Sequence, residues 1–162
     1  MKDEIPTNLE QLKKQYSKLQ KQYQLPNFSE LNKQFDVEEI DVETDFLLRK
    51  IRRNIAEKVA GYMRFIEIIL NPQNTPLFLF KLIKKLESKD KEDLTKLYEK
   101  LGAFEIKLVS LDLDYNEKNE ADFITKCFEL FNQEIKTNLL ALTEKMSNGN
   151  DNSKTNGASY FG

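Results

Sequence analysis

Between Leu48 and Ile69 the apolar residues fall at Leu48, Ile51, Ile55, Val59, Tyr62, Ile66 and Ile69, in steps of three and four. A strand alternates its faces every two residues and cannot gather such a set on one side, whereas a helix of 3.6 residues per turn does. The stretch from Val42 to Leu70 therefore predicts one long helix, beginning near Asp41 or Thr44, roughly 40 Å from end to end at 1.5 Å per residue. Asn71-Pro72 ends it. Beyond Gly61 the apolar arc widens to Met63, Phe65, Ile68 and Leu70. That half is expected to be wrapped on several sides, with the first half as a rim.

The remaining elements must pack around this axis. Leu9, Leu12, Tyr16, Leu19 and Tyr23 step by 3, 4, 3 and 4, a narrow heptad seam. Pro26 closes it. The seam suits either docking on the body or pairing with a partner helix, and residues 1–26 are set apart as an N-terminal heptad arm. Residues 27–45 form an acidic connector, with two helical turns in FSELNKQF capped by Asn27 or Ser29. Part of its acidity is expected at the first turn of the central helix, where it complements the dipole. Thr75 is expected to cap a short helix with Pro76 at its first position. That helix carries Leu77, Phe78, Leu79, Phe80, Leu82, Ile83 and Leu86, more than one apolar stripe, and is expected to be wedged between others; an exposed apolar groove is the alternative.

Asp90 with Asp93 resembles a capping box. After it Leu94, Leu97, Leu101, Phe104, Leu108 and Leu111 keep helical spacing, while Phe104, Ile106, Leu108, Leu111, Leu113 and Tyr115 alternate in part like a strand. No second strand candidate exists to pair with, so a helix is expected through Leu113. The last helix, Glu117 to Ser147, carries Ile124, Cys127, Phe128, Phe131, Ile135, Leu139, Leu142 and Met146 on its stripe. Residues 27–147 make the bundle domain, and the polar, glycine-bearing tail 148–162 is expected to be disordered. The fold class is all-α: an antiparallel bundle of four main helices plus a short helix and the N-terminal heptad helix.

Composition narrows the chemistry. The chain has no histidine and a single cysteine, Cys127. Ser-His-Asp and Cys-His nucleophilic systems are thereby excluded, as are histidine-bearing zinc sites. Cys127 lies on an apolar stripe with no candidate base and is assigned to the core. Asp112-Leu113-Asp114-Tyr115-Asn116 begins like a calcium-binding loop, but Glu117 stands where glycine is needed and Phe123 where the bidentate carboxylate belongs. No catalytic constellation, metal, cofactor or small-molecule substrate is expected, and the chain is not expected to be an enzyme. No apolar run approaches the roughly 20 residues that span a bilayer. With no signal peptide expected, the cytoplasm is the expected compartment.

Charge gives the one functional lead. Net charge is -2, so no global field favours nucleic acid or anionic lipid. Yet Arg49, Arg52, Arg53 and Arg64, all the arginines of the chain, lie on the central helix. At 100° per residue Arg49, Arg53 and Arg64 share an outer side, with Lys50 at its border. Arg52 turns to the edge of the core seam and suits a structural ion pair. Two acidic stretches can answer the others from within: the connector, and Glu105 to Glu134. Otherwise they form an anion- or partner-binding face. The expected function is a non-enzymatic protein–protein interaction or assembly module, by a protein partner or self-association. The alternative is an RNA- or ribosome-associated protein that grips phosphates through Arg49, Lys50, Arg53 and Arg64.

Overall fold

A computed structural model describes residues 6–42 and 45–148, and every regular element among them is helical. In chain order these are α1 (Asn8–Tyr23), α2 (Phe28–Phe35), α3 (Leu47–Leu70), α4 (Leu77–Ile83), α5 (Ser88–Leu113), α6 (Glu117–Leu130) and α7 (Lys136–Asn148). One π turn, Phe131–Ile135, joins α6 and α7 into a single rod. The polar tail from residue 149 onward, and Thr44 as a start for the central helix, lie outside the described residues.

Helix α3 is the axis. Its stripe is buried at Leu48, Ile51, Ile55, Val59, Ile66 and Ile69, and half-buried at Tyr62. It packs against α5 and α6. Asp112, near the end of α5, meets Arg52 and Arg53 near the start of α3; Asp90, at the start of α5, meets Lys145 near the end of α7. The expected first-turn acids of α3 are missing: Phe46 occupies its N-cap and no acidic residue lies in its first turn.

Burial along α3 is the reverse of the expectation. Leu47, Leu48, Ile51, Arg52 and Ile55 are buried in its first half, whereas Met63 and Phe65 are half-buried and Ile68 is exposed in its second. The start of α3 is closed in by the end of α5, the start of α6 and α2, whose Phe35 carbonyl accepts from Asn54 Nδ2 at 2.6 Å. Past the π turn, α7 packs on α5. The short α4 is not a wedge either. Ile83 and Leu86 are buried, but Leu77 and Phe78 are 71% and 68% exposed. Nor does Thr75 cap it; its hydroxyl donates back to the Ile68 carbonyl.

Helix α1 spends its heptad seam on the body. Leu12 and Tyr16 are fully buried, Leu9, Leu19 and Tyr23 half-buried, and the helix contacts α2 and α6. The Thr7–Glu10 capping box fixes its start. Tyr16 Oη donates to the Pro26 carbonyl at 2.7 Å, and its ring meets Phe28 edge-on. Asn8 bonds the Ile40 carbonyl and the Val42 amide, and Tyr23 Oη donates to Glu117. At α5 the Glu87 amide donates to Asp90 Oδ2 at 3.0 Å, so the reciprocal box sits one turn before the Asp90–Asp93 pair expected for it.

Candidate functional site

The link between α5 and α6 is three residues long, and Asn116 caps α6 by accepting from the Asn119 amide at 3.0 Å. This tight corner sets Asp112 and Glu120 on either side of the junction. The first half of α3 lays Arg49, Arg52 and Arg53 against it. Arg52 Nε donates to Glu120 Oε2 at 2.7 Å; its Nη2 donates to Glu120 Oε1 at 3.2 Å and to Asp112 Oδ1 at 2.9 Å. Arg52 and Glu120 are only 1% and 0% exposed. A forked guanidinium suits two carboxylates at once, which a lysine could not bridge with the same geometry.

Arg49 extends the network. Its Nε lies 3.5 Å from Glu120 Oε1 and its Nη2 donates to the Leu111 carbonyl at 3.2 Å. Its guanidinium carbon stands 4.7 Å from the Tyr115 ring centroid and 5.9 Å from that of Phe46, and those rings meet edge-on. Arg53 completes it at the exposed rim, with Nη2 donating to Asp112 Oδ1 at 3.2 Å. Burial works to lower the Arg52 pKa, but the hydrogen bonds to Glu120 and Asp112 prevail and hold it above its ordinary value. The Arg52 hydrogen bond lowers Asp112 below the usual carboxylate range; burial opposes it and Arg53 adds to it.

The arginine face of the sequence thus divides. Arg49 and Arg53 join Arg52 as an internal ion-pair network, answered by α5 and α6. Lys50 reaches the Asp41 carbonyl at 3.4 Å, and Arg64 bonds its own helix at Ala60. The connector supplies Asp36 to Lys58. Glu120 is the member of this network that sequence alone does not single out. Its signal is its spacing: 120, 124, 127 and 131 are in register with the apolar stripe of the rod, so a carboxylate stands where a core residue belongs.

A second feature is apolar. Ile106, Val109 and Leu113 of α5 are 76%, 60% and 83% exposed. They lie opposite the core stripe Leu97, Leu101 and Leu111, which is buried. The strand-like alternation is therefore, from Phe104 to Leu113, a helix with two apolar faces, and Tyr115 lies in the link that follows.

Cys127 is buried, which pushes its thiol up to about 12. Among the described residues no group of three or more Cys, Asp or Glu is placed to hold a metal ion, and no helix is long and apolar enough to cross a membrane. No protein-family model matches the chain, and no match is found among curated proteins or solved structures.

Proposed function

We propose that the protein is a non-enzymatic interaction module, and that the outer side of α5 takes an apolar-faced helix from a partner protein. The observation that supports this is the exposed set Ile106, Val109 and Leu113. With Gly102 it follows a 4, 3, 4 spacing, the interval at which one helix meets another. A β-carbon at Gly102 would meet nothing within 4 Å, so a neighbouring backbone has room to approach there. Glu105 and Asp112 flank one edge of the stripe. A second copy laid antiparallel over the stripe would bring Glu105 close to that copy's Asp112, so a partner of different sequence is favoured over self-association. In this reading the architecture is a bundle of main helices about α3 whose consecutive long helices reverse direction, with α4 as the short addition.

The network weighs against phosphate binding, because the guanidinium groups of Arg49 and Arg53 already serve carboxylates of the same chain. The test compares material captured from the native host, with and without nuclease, by the wild-type chain and by Ile106→Asp with Leu113→Asp. A protein retained by the wild type after nuclease and lost from the double variant is the expected result. Retention by the double variant overturns the α5 surface. Loss on nuclease, together with a salt-dependent RNA affinity abolished by Arg49→Glu with Arg53→Glu, would establish the RNA reading instead.

A further inference from the structure

The π turn that joins α6 to α7 also floors a cleft. Each π turn admits one extra residue and costs regular hydrogen bonding, and such turns are frequent at functional sites. Here the Lys136 amide donates to the Phe131 carbonyl, five residues back. Asn132 Nδ2 donates to the Phe128 carbonyl at 3.1 Å, the oxygen its own amide would use in an α-helix.

The cleft has two connected parts that share Tyr62, Phe131, Lys136 and Leu140. One, about 180 Å³, is apolar, adding Ile135 and Leu139. The other, about 540 Å³, is polar, adding Glu30, Lys33, Gln34 and Asn132. Gln34 Nε2 donates to Asn132 Oδ1 at 2.5 Å, but Gln34 Oε1 is buried without a hydrogen-bond partner. A buried acceptor left unmatched is costly, so the Gln34 amide gains by turning to meet a donor at the cleft. Lys33 and Lys136 make no ion pair among the described residues, and neither does Glu30.

We propose that this cleft binds an acidic peptide segment of a partner protein, distinct from the helix proposed for α5. One aliphatic or aromatic side chain of the peptide fills the apolar part. A backbone N–H of the peptide donates to Gln34 Oε1 once the Gln34 amide turns from its buried position toward the cleft. An adjoining carboxylate faces Lys33 and Lys136. A fatty acid would supply the carboxylate and the apolar body but no donor for Gln34.

The probe is the peptide acetyl-Asp-Leu-Phe-Asp-amide, titrated into the full chain and followed by two-dimensional amide NMR. The expected result is saturable shifts at Tyr62, Gln34 and residues 131–143. Lys33→Glu with Lys136→Glu should weaken binding by about tenfold at low salt, as two reversed rim charges would. Glu30→Gln should tighten it, and the peptide with lysine in place of aspartate should not bind. All three substitutions lie on exposed side chains, so the fold is retained and circular dichroism checks it. Absence of shifts, shifts centred on residues 102–113, indifference to the lysine reversals, or tighter binding of laurate than of the peptide would each overturn the proposal. The α5 reading is untouched by those outcomes.

Discussion

Arg52 of α3 and Glu120 of α6 are 68 residues apart in sequence and meet inside the protein with Nε and Oε2 2.7 Å apart. Neither has water to fall back on. Removing one partner strands the other's charge, whereas replacing both removes the desolvation cost together with the attraction. Glu120→Gln and Arg52→Met should each lower stability by about 3–5 kcal/mol. Arg52→Met with Glu120→Leu should cost less than either alone. Urea unfolding of the three variants measures this, and single losses below about 1 kcal/mol would refute it.

Acid should weaken the same junction from its outer edge. Asp112 is held below its unfolded pKa by Arg52 and Arg53. A depressed carboxylate contributes stability that is whole above its unfolded value and is lost as pH falls through the folded one. The melting temperature should therefore decline below about pH 4. Asp112→Asn should be less stable at pH 7, by about 1 kcal/mol given the exposure of its side chain. It should also show a shallower decline on acidification. Equal slopes in the two proteins would contradict the assignment.

Base should act through the core. The Cys127 thiol is pushed from 9.0 up to about 12 by burial, and burial raises Tyr16 in the same sense. A raised group of this kind stabilises fully below its unfolded pKa and ceases to do so as pH rises toward the folded one. Stability should fall between about pH 9 and pH 12. Cys127→Ala should start lower at pH 8, because it leaves a small cavity, yet lose less across that interval. Thermal melts at half-unit pH steps would show it.

Helix α1 should behave as core. Leu12→Ala should cost about 2–5 kcal/mol, the range for a fully buried leucine. Removing residues 1–24 should leave a chain that unfolds at far lower urea or not cooperatively at all. A truncated chain of undiminished stability would return this segment to the status of a free arm.

Much of this was legible from spacing. The stripes of α1, α3 and α5, the stop at Asn71-Pro72 and the cap at Asn27 all follow from side-chain periodicity and local hydrogen bonding, which act within a few residues. Arg52 was legible for the same reason: its angle on α3 put it at the seam. Its counter-ions were harder to see, because the pairing depends on which helices meet. Glu120 rather than the nearer acidic connector won because the three-residue corner at Asn116 holds it against α3. The depth of burial along α3 was misjudged on similar grounds. Hydrophobicity around Met63 to Leu70 says what would prefer cover, not which element arrives to supply it. The π turn did leave a trace. Cys127, Phe131, Ile135 and Leu139 follow each other in three successive steps of four, which a 3.6-residue helix cannot keep on one face and a wider turn can.

The long reach between Arg52 and its partners has a consequence for the newborn chain. A ribosome adding about 5–20 residues per second releases α3 several seconds before Glu120 follows. During that interval a guanidinium destined for the interior has no carboxylate to meet. Helix α1 waits as well, since it leans on α6 and Tyr23 bonds Glu117. Closure of the whole domain is thus deferred until α6 has emerged, and a nascent chain stalled at Tyr115 should be digested readily by protease where the folded protein resists.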